Sequence, residues 1–238
     1  AKGKAYMAPV YLGYRQNGDG RILMHGSDLI RGTWELAQRV RADAVQVVTW
    51  NDYGESSCFI PSINMGYVPS QLNRYFADRY RSRLQADRDA VLLCYRRYPG
   101  QPAPSDFPDR AELWYPLDNE LEAVAMAAAP AQLFVNGAGP FHVPRGLSST
   151  RVPLRPGLPS ATLMRDGRVV ASVEGLAAVI DGVEAIPYRQ LLEPHMHGSD
   201  FEALIRQDLG VGWNPRHAMW ADVNTNGLAD WYELIQPG

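Results

Sequence analysis

AVQVVTWNDYGESSCF, residues 44–59, decides how the rest of the chain is read. Its first five residues are apolar and β-branched around a single Gln, the composition of a strand buried on both faces in a parallel sheet. Beyond the point where that strand must end stand two acids three residues apart, Asp52 and Glu55. Residues three apart on an extended strand point to opposite faces, so the carboxylates converge only if the backbone turns between them, and Gly54 permits that turn. At the carboxyl end of a parallel strand such side chains project into the cleft where α/β folds bind ligands, with Trp50 and Tyr53 as walls. Two carboxylates flanking a bond are the equipment of glycoside hydrolysis: one is protonated for the leaving oxygen, the other attacks or activates water. The competing reading is a solvated acid pair that caps a helix or meets an arginine. Trp, Asn, Tyr and Gly make unusual neighbours for such a surface loop.

Working outward, AYMAPVYL (residues 5–12) has the apolar and aromatic character of a short buried strand. It runs into RQNGDG, a turn cluster with no further donor at calcium-loop spacing. From Ser27 the period changes. Ile30, Trp34, Ala37 and Val40 recur at helical spacing, with Ser27 as N-cap and Asp28 in the first turn. Strand, helix and the AVQVV strand form one βαβ unit. A loop through Pro61 and Pro69 then leads to SQLNRYFADRYRSRL (residues 70–84), where Leu72, Tyr75, Phe76, Arg79, Tyr80 and Leu84 suggest a helix with a narrow apolar face.

Past residue 88 the texture becomes one of short runs, among them AVLLCYRRY, LEAVAMAAA, AQLFVNG and ATLMRDGRVVASV, broken by Pro and Gly about every eight to twelve residues. This pattern predicts an antiparallel sandwich or barrel, with hairpin turns at Asp166-Gly167 and Asp181-Gly182. Three units are expected: an α/β part over 1–88, a β-sandwich over 89–190 and a tail over 191–238.

The 238 residues are 46% hydrophobic and 21% charged, globular proportions. A net charge of -3 with the signs mixed leaves no basic stripe for a phosphate backbone, so nucleic acid is not an expected partner. No run of eighteen apolar residues offers a helical membrane span, and the opening AKGKAYMAPV shows no targeting signal. Six Trp and twelve Tyr serve core packing, and are also the side chains that stack on sugar rings. Cys58 and Cys94 are read as buried thiols in preference to one disulfide. His195 and His197 form an H-x-H pair with no third ligand at matching spacing, and His25, His142 and His217 stand alone.

Residues 222–233 read DVNTNGLADWYE. Oxygen ligands fall at Asp222, Asn224, Asn226, the Leu228 carbonyl, Asp230 and Glu233, with Gly227 at the sharp bend, the spacing of a calcium loop. A single copy predicts a structural Ca2+, and the abundance of extracellular calcium makes a secreted protein the expected habitat.

TWNDYGES closely resembles the signature at the last barrel strand of glycoside hydrolase family 71, the α-1,3-glucanases called mutanases. AYMAPVY resembles that family's penultimate strand and DLIRGTWELAQ the helix before the motif. The run from AELWYPLDNE to ATLMRDGRVV resembles its C-terminal sandwich, so the resemblance spans residues 5 to 190. It implies the C-terminal portion of a (β/α)8 barrel followed by an antiparallel β-sandwich and a short calcium-binding tail. It also implies inverting hydrolysis of α-1,3-glucan, a polysaccharide substrate, by Asp52 and Glu55. Either acid can take either role, and Glu55 is the preferred general acid. Trp50, Asn51, Tyr53 and Tyr14 are the expected substrate-binding residues. The family commonly continues with His and an aromatic after Gly-Glu-Ser, whereas Ser57 and Cys58 stand here. A (β/α)8 barrel usually takes about 250 residues. The expectation is therefore of the last two strands and helices only, with strand edges left open and the isolated chain inactive or poorly soluble. The alternatives are a non-catalytic carbohydrate-binding module and an endo-mannosidase-like glycosidase.

Overall fold

In the computed structural model the described residues are 3–15, 21–22, 26–52, 57, 59, 65–81, 88–97, 119–180 and 194–199. The chain runs through β1 (Met7–Tyr11), a small hairpin of β2 (Tyr14–Arg15) and β3 (Arg21–Ile22), α1 (Asp28–Arg39), β4 (Ala44–Val48) and α2 (Val68–Tyr80). Eight further strands follow: β5 (Ala90–Arg96), β6 (Glu120–Ala127), β7 (Ala131–Val135), β8 (Ala138–Val143), β9 (Gly146–Pro153), β10 (Ser160–Arg165), β11 (Arg168–Glu174) and β12 (Pro194–Gly198).

β1 and β4 pair in parallel, from Met7 opposite Ala44 to Tyr11 opposite Val48, and α1 is the crossover that parallel pairing needs. Alternation sends Ala8, Val10, Val45 and Val47 towards the helices. Ala8, Ala37 and Ala42 form a small cluster that lets α1 approach the strand closely. Met7, Pro9 and Gln46 are exposed on the other face. β4 is thus half-buried, not buried on both faces as its composition predicts, because its described pairing is with β1 alone and helices cover one face only. Among the described residues the parallel sheet has two strands and no closed barrel forms; the fold is mixed and mostly sheet. Two helical details also differ. Val40 is the C-cap residue of α1 and 47% exposed. Pro69 lies in the first turn of α2, where its missing N–H has no helical partner to lose, so the helix starts at Val68.

The remaining strands make two four-stranded antiparallel sheets, in the orders β12-β5-β6-β9 and β11-β10-β7-β8. Odd-numbered residues of β5 and β6 (Val91, Leu93, Tyr95, Leu121, Ala123, Ala125) share one core with Leu133, Val135, Ala161 and Leu163 of the second sheet. Leu92, Cys94, Val124 and Met126 face the other way, into a second core with Val10, Trp34, Leu72, Tyr75 and Phe76. The first sheet is therefore covered on both faces, which is why AVLLCYR and LEAVAMA read as nearly unbroken apolar runs. Packing is continuous across residues 88 and 89, and the first sheet also extends past residue 190, since β12 pairs with β5. The Asp166-Gly167 hairpin forms between β10 and β11 with both residues at positive φ, 50° and 74°. Asn136-Gly137 makes the same turn between β7 and β8, while Asp181-Gly182 lies outside the described residues.

A clamp joins the two sheets at one end of their strands, between the start of β5 and the end of β10. Arg165 donates from Nη1 to Asp89 Oδ2 (2.8 Å) and from Nη2 to Asp89 Oδ1 (2.7 Å) and to the Ala129 carbonyl (2.8 Å). The Ala128 N–H completes the set on Asp89 Oδ1. Hydrogen bonding from Arg165 holds the Asp89 carboxyl below its usual range. A carboxylate whose folded pKa is depressed stabilises the protein above its unfolded pKa and loses that contribution as pH falls towards the folded value. Melting temperatures of the wild type and Asp89→Asn are thus expected to differ near neutral pH and to converge as pH falls from about 5 to about 3. A gap constant over that range would exclude ionisation of Asp89 as its source.

Candidate active site at the carboxyl ends of the parallel pair

Because β1 and β4 are parallel, both finish at the same end of the molecule. β1 passes through the buried Leu12 into the β2–β3 hairpin, which places Tyr14 at that end, and β4 passes into the loop that carries the acids. The Val48–Thr49 peptide is cis. The loop folds back on itself. The Thr49 N–H donates to the Ser57 carbonyl (2.8 Å), the Ser57 N–H to the Asp52 carbonyl (3.3 Å), and the Phe59 N–H to the carbonyls of Thr49 (2.9 Å) and Trp50 (3.1 Å). The Thr49 and Ser57 hydroxyls lie 2.9 Å apart. Phe59, fully buried in the helical core, secures the returning limb, and its carbonyl accepts from Ser70 Oγ of α2 (2.8 Å).

Of the predicted site residues, Asp52 is half-buried at the reversal, Asn51 is exposed and Trp50 is 61% exposed. Tyr53, Gly54 and Glu55 lie outside the described residues, yet the bond from Ser57 to Asp52 closes the backbone on either side of them.

The residues 222–233 predicted to bind calcium lie outside the described residues. Among the described residues no three His, Cys, Asp or Glu side chains stand together as a metal site. His195 and His197 fall on β12, opposite Tyr95 and Leu93. Cys94 is a buried free thiol; Cys58 is not among the described residues. Burial, and next the charge of Glu122, push the Cys94 thiol well above its usual range, so it packs as a neutral side chain.

Ser27 does not cap α1 with its side chain as predicted. Its N–H and hydroxyl are both turned to the carboxylate of Glu122, 95 residues away on β6. Sequence reasoning passed over Glu122, although a single acid inside LEAVAMAAA was the available signal. A buried charge in an apolar strand needs partners from another element.

Comparison with curated proteins and with solved structures gives no match. The family model described as glycosyl hydrolase family 71 matches residues 1–188. That span takes in the parallel pair, the loop with its reversal at Asp52 and the two antiparallel sheets except β12, and the chain belongs to glycosyl hydrolase family 71.

Proposed function

We propose that this glycoside hydrolase cleaves α-1,3-glucan by an inverting mechanism in which Asp52 and Glu55 divide the acid and base roles, Glu55 acting as the acid. The observation that carries this reading is the reversal at the end of β4, where the Ser57 N–H donates to the Asp52 carbonyl and half-buried Asp52 follows the carboxyl end of a parallel strand. Inversion needs room for a water between the carboxyl groups, a separation of about 6.5–9.5 Å. β1, α1, β4 and α2 are read as the last strands and helices of a (β/α)8 barrel, and the two antiparallel sheets as a β-sandwich appended to it. The test is a panel of insoluble α-glucans, β-glucans and mannans offered to the complete gene product, with the anomer of the first product followed. Release of the β-anomer from α-1,3-glucan is the expected result. The α-anomer would overturn the inverting mechanism, and hydrolysis of mannan alone would point to the endo-mannosidase-like alternative.

The exposure of Trp50 supports a part in holding the polysaccharide. Trp50→Ala is expected to raise KM for soluble glucan oligosaccharides about tenfold, with kcat changed much less. Equal falls in kcat and kcat/KM would place the indole in transition-state stabilisation instead.

The oxygen-rich set Asp222, Asn224, Asn226, Leu228, Asp230 and Glu233 suits a hard cation, and we infer that it binds a structural Ca2+ in an extracellular protein. Calcium is expected to raise the melting temperature and a chelator to lower it. Identical melts with either would count against the site.

A further inference from the structure

Glu122 belongs to β6, yet its side chain is 3% exposed and turned away from the core between the antiparallel sheets, towards the first turn of α1. Its Oε2 accepts from the Ser27 N–H (2.7 Å). Its Oε1 accepts from Ser27 Oγ (2.9 Å), from Ser149 Oγ of β9 (2.6 Å) and from Arg31 Nη2 (3.2 Å). Arg151 Nη2 stands 3.9 Å from Oε2 and also binds Asp28 Oδ2 (2.8 Å). Gly26, at φ +62°, leaves room for the carboxylate, because a Cβ there would fall 2.2 Å from Oε2. A buried carboxylate persists only where donors fill its lone pairs, and here they come from α1, β9 and the Gly26–Ser27 corner together. The positive end of the helix adds to their attraction.

The location gives this contact its consequence. α1 is the crossover of a parallel pair, so its first turn stands at the end where β1 and β4 finish, the end that carries Asp52 and the β2–β3 hairpin. Leu12, just after β1, is buried, and Ser27, just before α1, is bonded to Glu122. We propose that Glu122 is a positioning residue for the active site, locking the first turn of α1 and the Gly26–Ser27 corner to the antiparallel sheet. This rests on reading the loop after β4 as the active site.

Amide hydrogen exchange tests it without recourse to activity. Glu122→Gln keeps the side-chain shape and removes the charge. It is expected to speed exchange of the Ser27 and Arg31 amides and of the segment 12–27 about tenfold or more, with β10 and β11 unchanged. Asp89→Asn removes a comparable arginine-bound carboxylate and is expected to leave those same amides at wild-type rates. On glucan, Glu122→Gln is expected to lower kcat several-fold while Asp89→Asn does not. If Glu122→Gln does not fold, Ser149→Ala, which removes one donor, is expected to give the same pattern at about threefold. Wild-type exchange at Ser27, Arg31 and the hairpin, or loosening of the same amides by both carboxylate variants, overturns the proposal. Hydrolysis left intact by Asp52→Asn would instead overturn the active-site reading, whatever the exchange result.

Discussion

Asp52→Asn is expected to lower kcat on α-1,3-glucan about 10²–10⁴-fold, the range that loss of one positioned proton-transfer group produces. Asn has the shape of Asp but carries no charge and cannot act as a general acid or base. The backbone bonds that set the reversal, from the Ser57 N–H to the Asp52 carbonyl and from the Thr49 N–H to the Ser57 carbonyl, do not use the carboxylate. The melting temperature should therefore stay near the wild-type value, and retention on insoluble glucan should persist. Glu55→Gln should behave alike. A wild type that retains glucan without hydrolysing it, with retention unchanged in both variants, would support the alternative of a non-catalytic carbohydrate-binding module. A rate loss in one variant alone, relieved by substrates with a good leaving group, would mark that residue as the general acid.

Phe76→Ala is expected to destabilise the protein by about 3–5 kcal/mol, lowering its melting temperature by roughly 10 °C. Phe76 is 1% exposed and sits where α2, α1 and the first antiparallel sheet meet. Its ring stacks near Trp34 with centroids 6.3 Å apart and meets Tyr75 edge-on at 5.2 Å. Truncation removes the transfer energy of the ring and leaves a cavity that these stiff neighbours cannot collapse into. Phe76→Leu should lose less than about 1.5 kcal/mol. A melt unaffected by Phe76→Ala would mean that the helices are not joined cooperatively to the sheet they cover.

Much of the local structure was legible in the chain. The three- and four-residue spacing of Ile30, Trp34 and Ala37 placed α1, and Asp166-Gly167 placed a hairpin, because helical period and positive φ are properties of a few adjacent residues. The turn expected at Gly54, between Asp52 and Glu55, falls outside the described residues, where the backbone bond from Ser57 to Asp52 is the nearest contact described. Other readings depended on what lies across space. The AVQVV run looks buried on both faces, and its actual exposure follows from having β1 as its described neighbour and helices on one face only.

Period and turn chemistry are encoded within a handful of residues, so the sequence by itself determined the βαβ unit, the run of short antiparallel strands and the acids at a strand end. Which face of β5 and β6 met which layer was decided only by the tertiary structure, since both faces are equally apolar in the sequence. The same holds for Ser27 and Glu122. Each follows a local rule when taken alone, as helix cap and as lone acid in a strand. Only folding brings them within 2.7 Å, where a buried carboxylate replaces the missing side-chain cap and binds the helix to the sheet.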